Sequence, residues 1–215
     1  MRIDIISDAV CPWCLIGKRN LEAALNQCPD LTVEIRWHPF QLNPDMPRAG
    51  MDRKMYIENK FGGPANARKI YERVSAAGKA AGVDFNFDAI PRTPNTVNAH
   101  RLIHWAEGAG LQDKMVEILF RKYFQDGLDI GAHAVLLDAA VEAGMDAEDI
   151  ATRLAGDDDE DYVRNADVSA RQLGVSGVPF FIFDRRYAIS GAQPPATFIE
   201  VFERLARSEA EHPEP

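Results

Sequence analysis

Two cysteines, Cys11 and Cys14, face each other across a Pro-Trp dipeptide in the stretch DAVCPWCLIG. Three chemistries suit such a pair: half of a zinc site, a structural disulfide, or a working redox couple. A closed zinc site takes four ligands. Cys11 and Cys14 supply two, and the chain holds no second CxxC. Cys28 falls on the helical period Leu21, Leu25, Cys28. A continuous helix would carry it ~21 Å beyond Cys14, out of reach of a shared metal, so it reads as a small buried hydrophobe. No metal is expected. A disulfide closing so short a ring constrains almost nothing in the unfolded chain. The redox reading fits the position. Ile3, Ile5 and Ile6 mark a short strand that ends in the loop Ser7–Val10, and a helix opens at Cys11 or Pro12. Unpaired N–H groups and the dipole at a helix start favour an anion. Cys11 is therefore the expected attacking thiolate, and Cys14, one turn inside, the resolving thiol.

The elements that would position this pair follow from periodicity. After the first helix, LTVEIRW alternates with Leu31, Val33, Ile35 and Trp37 on one face. Strand, helix and strand make a right-handed βαβ unit. Helical periods then predict helices over 51–61, 64–81, 95–108, 111–126, 132–143, 146–154 and 158–173, with an extended stretch at 83–87. Strand character returns in VPFFIF (178–183) and YAISG, joined as a hairpin, and a last helix runs from Pro194-Pro195 to about Arg207. The tail SEAEHPEP is polar and reads as frayed. The expected fold is α/β: a thioredoxin-like domain from residues 1–48 and 158–215, with an all-helical domain, 49–157, inserted between its β-α-β and β-β-α halves.

Composition narrows the partners. At 215 residues, with 46% hydrophobic and 27% charged residues, the chain is an ordinary globular protein. A net charge of −9 would repel a phosphate backbone, so nucleic acid is not an expected partner. No run is long enough to span a bilayer, and MRIDIIS lacks the apolar core of a signal peptide. The expectation is a cytoplasmic protein without a membrane partner, where three cysteines are no disulfide scaffold.

DAVCPWCLIGKRNLE, with PFQLNPDMP (39–47), PNTVNAHRL (94–102), GVSGVPFFIF (174–183) and ISGAQPP (189–195) in order, resembles the DsbA-like thioredoxin-fold oxidoreductases. Within them it is similar to the FrnE-like branch, which is related to the 2-hydroxychromene-2-carboxylate isomerases and kappa-class glutathione transferases. The resemblance implies that Val178-Pro179 is a cis-proline loop facing the two thiols, with Pro12 and Trp13 as active-site support. It also places Asn95, Thr96 and His100 near the site mouth, where Phe40 joins them as a candidate substrate contact. Thr93 or Asn95 alternatively reads as a helix cap, with Pro94 in the first turn. His100 and His104 stand one turn apart, a spacing that also suits a metal. The resemblance implies thiol–disulfide exchange on protein or glutathione disulfides, of the cytosolic reductase or isomerase type. The alternative is a glutathione-dependent isomerase or transferase acting on a small aromatic substrate. Those relatives carry serine at the position of Cys11, so the Cys11–Cys14 pair favours exchange. No permanently bound cofactor is expected; glutathione enters as redox partner or co-substrate. The oligomeric state, a homodimer included, is left open.

Overall fold

A computed structural model describes residues 1–211. The first strand, β1 (Arg2–Ser7), leads through a short turn into helix α1 (Pro12–Leu25), and β2 (Glu34–Pro39) returns parallel to β1. Near the C-terminus, β5 (Phe180–Phe183) lies antiparallel on the other side of β1, and β6 (Tyr187–Ser190) follows it as a hairpin. The sheet order is β2-β1-β5-β6. Helix α9 (Pro195–Glu211) closes the described chain. It continues past the predicted end at Arg207; residues 212–215 of the polar tail lie outside the described residues.

Register explains which face is buried. Ile3 stands between Ile35 and Phe183, and Ile5 between Trp37 and Phe181. This face packs on Leu15 and Leu21 of α1 and on Phe198, Phe202 and Leu205 of α9. The opposite face carries a smaller cluster in which Ile6 meets Phe40, Ala170 and Val175. Each fully buried large side chain contributes roughly 1.5–3 kcal/mol relative to exposure, so the register is strongly fixed: a one-residue slip would turn these side chains outward.

Between β2 and β5 come β3 (Met51–Asp52), α2 (Arg53–Phe61), α3 (Pro64–Ala80), β4 (Arg92–Thr93), α4 (Val97–Glu107), α5 (Gln112–Phe124), α6 (His133–Ala143), α7 (Ala147–Ala155) and α8 (Glu160–Gln172). The β3–β4 ladder is too short for periodicity to reveal. The predicted extended stretch 83–87 is instead irregular, with a 3-10 turn at Phe87–Ala89. It is held by stacking of Phe85 on Phe87 and of Phe87 on Tyr71. The insertion shares a hydrophobic core with the sheet: Leu102, Phe120 and Tyr123 belong to the same cluster as Ile5 and Trp37.

Cys28 lies outside α1, contrary to the helical period. It occupies the turn after the helix, half-buried against the core, with its N–H bonded to the Leu25 carbonyl. Pro29 supplies the reason, since the residue before a proline is pushed out of helical geometry.

Candidate active site

Cys11 is the N-cap of α1, in extended conformation, and Pro12 takes the first helical position. Its N–H bonds the Asp8 carbonyl at 3.0 Å, and its own carbonyl accepts the Cys14 N–H at 3.0 Å. These two bonds turn the chain from β1 into the helix and bring both sulfurs to one end of it. Cys11 and Cys14 are free thiols, 3% and 1% exposed. Pro12, Trp13 and Val178 are half-buried.

The Val178–Pro179 peptide bond is cis. The Val178 carbonyl oxygen lies 3.5 Å from Cys11 Sγ. Pro179 rests against Gly17: a Cβ on Gly17 would stand 2.9 Å from Pro179 Cγ and 3.0 Å from Phe181 Cζ. The bare helix surface at Gly17 thus lets the Val178–Pro179 turn close on the start of α1.

The thiols differ electrostatically. Burial first, and then the adjacent Cys11 sulfur, push the Cys14 thiol well above its ordinary value of 9.0. Asp8 also acts on this sulfur: its main chain favours the Cys14 thiolate, while its carboxylate opposes it. Asp8 is wholly buried. Its Oδ2 accepts the Leu42 N–H at 2.8 Å, and its Oδ1 lies 3.4 Å from the Val10 nitrogen and 3.5 Å from His100 Nε2. Sequence reasoning missed Asp8. The available signal was an acidic residue in the tight turn between strand and catalytic helix, where a charge must find buried partners.

The segment after β2 is clamped from several sides. Phe40 N–H bonds the Ser7 carbonyl, Gln41 N–H bonds Asp167, and Arg171 donates to the Gln41 carbonyl while lying over the Phe40 ring. Two expected substrate contacts therefore fall elsewhere. Phe40 is 1% exposed within the smaller core cluster, and His100 is 2% exposed behind Asp8, its Nε2 3.1 Å from the Phe40 carbonyl oxygen. Their side chains support the active-site turn from within. Thr96 is also buried. Asn95 is engaged at both ends, donating to the Met46 carbonyl and accepting the Val97 N–H at the start of α4. The N-cap of α4 is Thr96, without a side-chain cap bond, so Asn95 braces the helix start from the residue before the cap. Among the described residues, no group of three or more His, Cys, Asp or Glu side chains could hold a metal ion, His100 and His104 included.

A four-stranded mixed sheet, a CxxC at the start of its first helix and a cis-proline turn against the first cysteine define a thioredoxin-like oxidoreductase fold. The DSBA-like thioredoxin domain model matches residues 2–203, and the chain belongs to that family. It is similar to a probable DsbA oxidoreductase from Streptomyces coelicolor, at 31% identity and a TM-score of 0.86, covering all of this chain and 92% of that one. The fold is shared with a 2-hydroxychromene-2-carboxylate isomerase (16% identity, TM-score 0.75, all of both chains). It is shared also with the cytosolic disulfide reductase DsbM from Pseudomonas aeruginosa, solved with GSH (19% identity, TM-score 0.68, 96% of this chain and all of that one).

Proposed function

We propose that the chain is a thiol–disulfide oxidoreductase that exchanges disulfides through Cys11 and Cys14, working as a reductase or isomerase on protein or glutathione disulfides. The observation that carries this reading is the placement of Cys11 Sγ at the start of α1, facing the Val178 carbonyl, with Cys14 one turn inside. Cys11 attacks a substrate disulfide and forms a mixed disulfide. Cys14 then gives up its proton and attacks Cys11, releasing the second substrate thiolate. That proton passes to solvent or to a departing thiolate. Glutathione is the candidate small-molecule reductant, in keeping with the GSH in the DsbM structure. Among the described residues no helix is long and apolar enough to cross a membrane, which is compatible with work on cytosolic disulfides.

The isomerase-like structure offers a second reading, glutathione-dependent chemistry on a small aromatic molecule. Two adjacent thiols favour exchange, because a resolving cysteine has no task in that alternative. Insulin reduction separates the two. Wild type should precipitate insulin in the presence of a dithiol, Cys11→Ala should not, and Cys14→Ala should accumulate mixed disulfides. Undiminished reduction by Cys11→Ala would overturn the assignment.

A further inference from the structure

The inserted segment holds a groove that neither thiol lines. It encloses about 600 Å³ between α2, α3 and the irregular stretch before β4, a size usual for ligand sites. On α3 the lining recurs at every turn, in Pro64, Ala67, Tyr71, Ser75 and Lys79, so the groove follows the helix for ~22 Å. Phe85 and Phe87 form the facing wall. Its aromatic floor is held in place from several sides. Tyr71, Phe87 and Phe85 stack in one column, with ring centroids 4.6 and 4.9 Å apart. The buried Phe124 braces Phe85 and Phe87 edge-on at 5.2 and 6.2 Å. Arg53 donates to the Tyr71 hydroxyl. Gly78 lets the column close on α3, since a Cβ there would stand 2.5 Å from Phe85 Cε2. The three rings nonetheless remain only half-buried, because they line the groove.

Charge at the rim narrows the occupant. Arg68, Glu72, Lys79 and Asp88 are all exposed, two of each sign. Among the described residues none of the four forms an ion pair. Arg68 and Glu72 stand four residues apart on α3, the spacing at which Lys18 and Glu22 pair on α1. A rim without net charge selects no single ionic head group. A long apolar floor between mixed charges suits an extended polypeptide instead. At ~3.3 Å per residue, about six or seven residues run the groove, and every second side chain faces the floor.

We infer that this groove holds an extended apolar segment of a disulfide-bonded polypeptide while Cys11 attacks its disulfide. The inference rests on the exchange reading above and narrows its substrate class to polypeptides. Helix α3 packs against α1, the helix that Cys11 caps, so a segment held there lies one helix away from the attacking sulfur. The exchange chemistry is unchanged; the groove adds affinity for a chain too long for the thiol site alone.

The test uses two mixed disulfides of thionitrobenzoate, whose reaction releases a coloured thiolate. One carries cysteine alone. The other carries a cysteine joined by a Gly-Ser linker to a six-residue segment that alternates serine with phenylalanine and leucine. Wild type should show a kcat/KM on the order of tenfold higher for the peptide probe, and a control segment of serine and glycine should show no gain. Ala76 is an exposed lining residue, so Ala76→Trp should fill the groove, remove the gain and leave the cysteine probe unchanged. A cysteine-free, fluorophore-labelled copy of the peptide should bind wild type and not Ala76→Trp, as read by anisotropy, whether or not exchange occurs. Equal rates on both probes in wild type would overturn the inference, as would a gain that survives in folded Ala76→Trp. Equal loss on both probes in that variant would overturn it too, by placing the effect at the thiols. Anilinonaphthalene sulfonate binding in place of the peptide, or self-association abolished by Ala76→Trp without peptide binding, would give the groove to a small aromatic molecule or to a second copy instead. If wild type releases no thiolate from either probe, the exchange reading fails, while the anisotropy still reads the groove. Should Ala76→Trp not fold, Ser75→Leu on the same face serves the same comparison.

Discussion

Cys11 Sγ and the Val178 carbonyl oxygen stand 3.5 Å apart although 167 residues separate them in the chain. This approach depends on Gly17, because Pro179 and Phe181 occupy the space a side chain there would need. Gly17→Ala should force the Val178–Pro179 turn away from α1. Overpacking of this kind typically costs about 1–3 kcal/mol. The variant should unfold at a lower denaturant concentration and lose exchange activity beyond what reduced folding explains. Wild-type stability and activity together would show that the turn yields freely.

Strand β2 is an edge strand, and Gln112 completes it. The Trp37 N–H donates to Gln112 Oε1 at 2.8 Å, and Gln112 Nε2 donates to the Trp37 carbonyl at 3.1 Å. One buried amide thus replaces the missing neighbouring strand. Gln112→Leu should leave two buried main-chain groups unpaired, at about 1–3 kcal/mol each. Gln112→Glu keeps the acceptor but sets an oxygen against the Trp37 carbonyl, so its deficit should shrink in acid. Urea unfolding across pH measures both; a leucine variant as stable as wild type would mean that water replaces the amide.

The readable parts of this fold were those where a period or a motif repeats locally. The seven inserted or bridging helices, the β1–β2 unit and the β5–β6 hairpin all carry amphipathic patterns several residues long. The β3–β4 ladder pairs only Met51 and Asp52 with Thr93 and Arg92, too few residues for alternation to show. Cys28 fitted a helical period, but Pro29 decided its geometry. At the site, CPWC and Val178-Pro179 announce themselves by type and spacing. Asp8 and His100 meet only because α4 folds back behind the active-site turn. His100 could therefore be associated with the site from sequence, but not with the side of it that it occupies.

The ion cluster between α1 and α5 makes acid stability testable. Arg19 bonds both carboxylate oxygens of Glu117, and Lys18, itself nearly buried, lies 3.3 Å from the same group. Burial alone would push Glu117 up, but the Arg19 hydrogen bonds and the two cations prevail and hold it below its ordinary 4.5. A lowered carboxyl stabilises the fold above the unfolded value and loses that contribution as pH falls through the folded one. Glu117→Gln should therefore be less stable than wild type at neutral pH, and the two should converge in acid. Asp4 is lowered as well, so the diagnostic quantity is the difference between variant and wild type. A difference that does not change with pH would exclude Glu117 as a source of the acid sensitivity.

The buried resolving thiol predicts the opposite behaviour in alkali. Cys14 is held well above the ordinary thiol value of 9.0, chiefly by burial. Below that value neither the folded nor the unfolded chain ionises this group, so it contributes nothing to pH dependence. Above it the unfolded chain releases the proton while the folded one keeps it, and stability falls as pH rises. The slope from one such group approaches ~1.4 kcal/mol per pH unit. Tyr71 and Tyr123 are also raised by burial and act in the same direction from 10.0 upward. Reduced wild type must therefore be compared with Cys14→Ala, which retains both tyrosines. Urea midpoints measured between neutral pH and about pH 10 should fall more steeply in wild type, with the divergence beginning near 9.0. Parallel curves would mean that Cys14 ionises as readily in the folded protein as in the unfolded one.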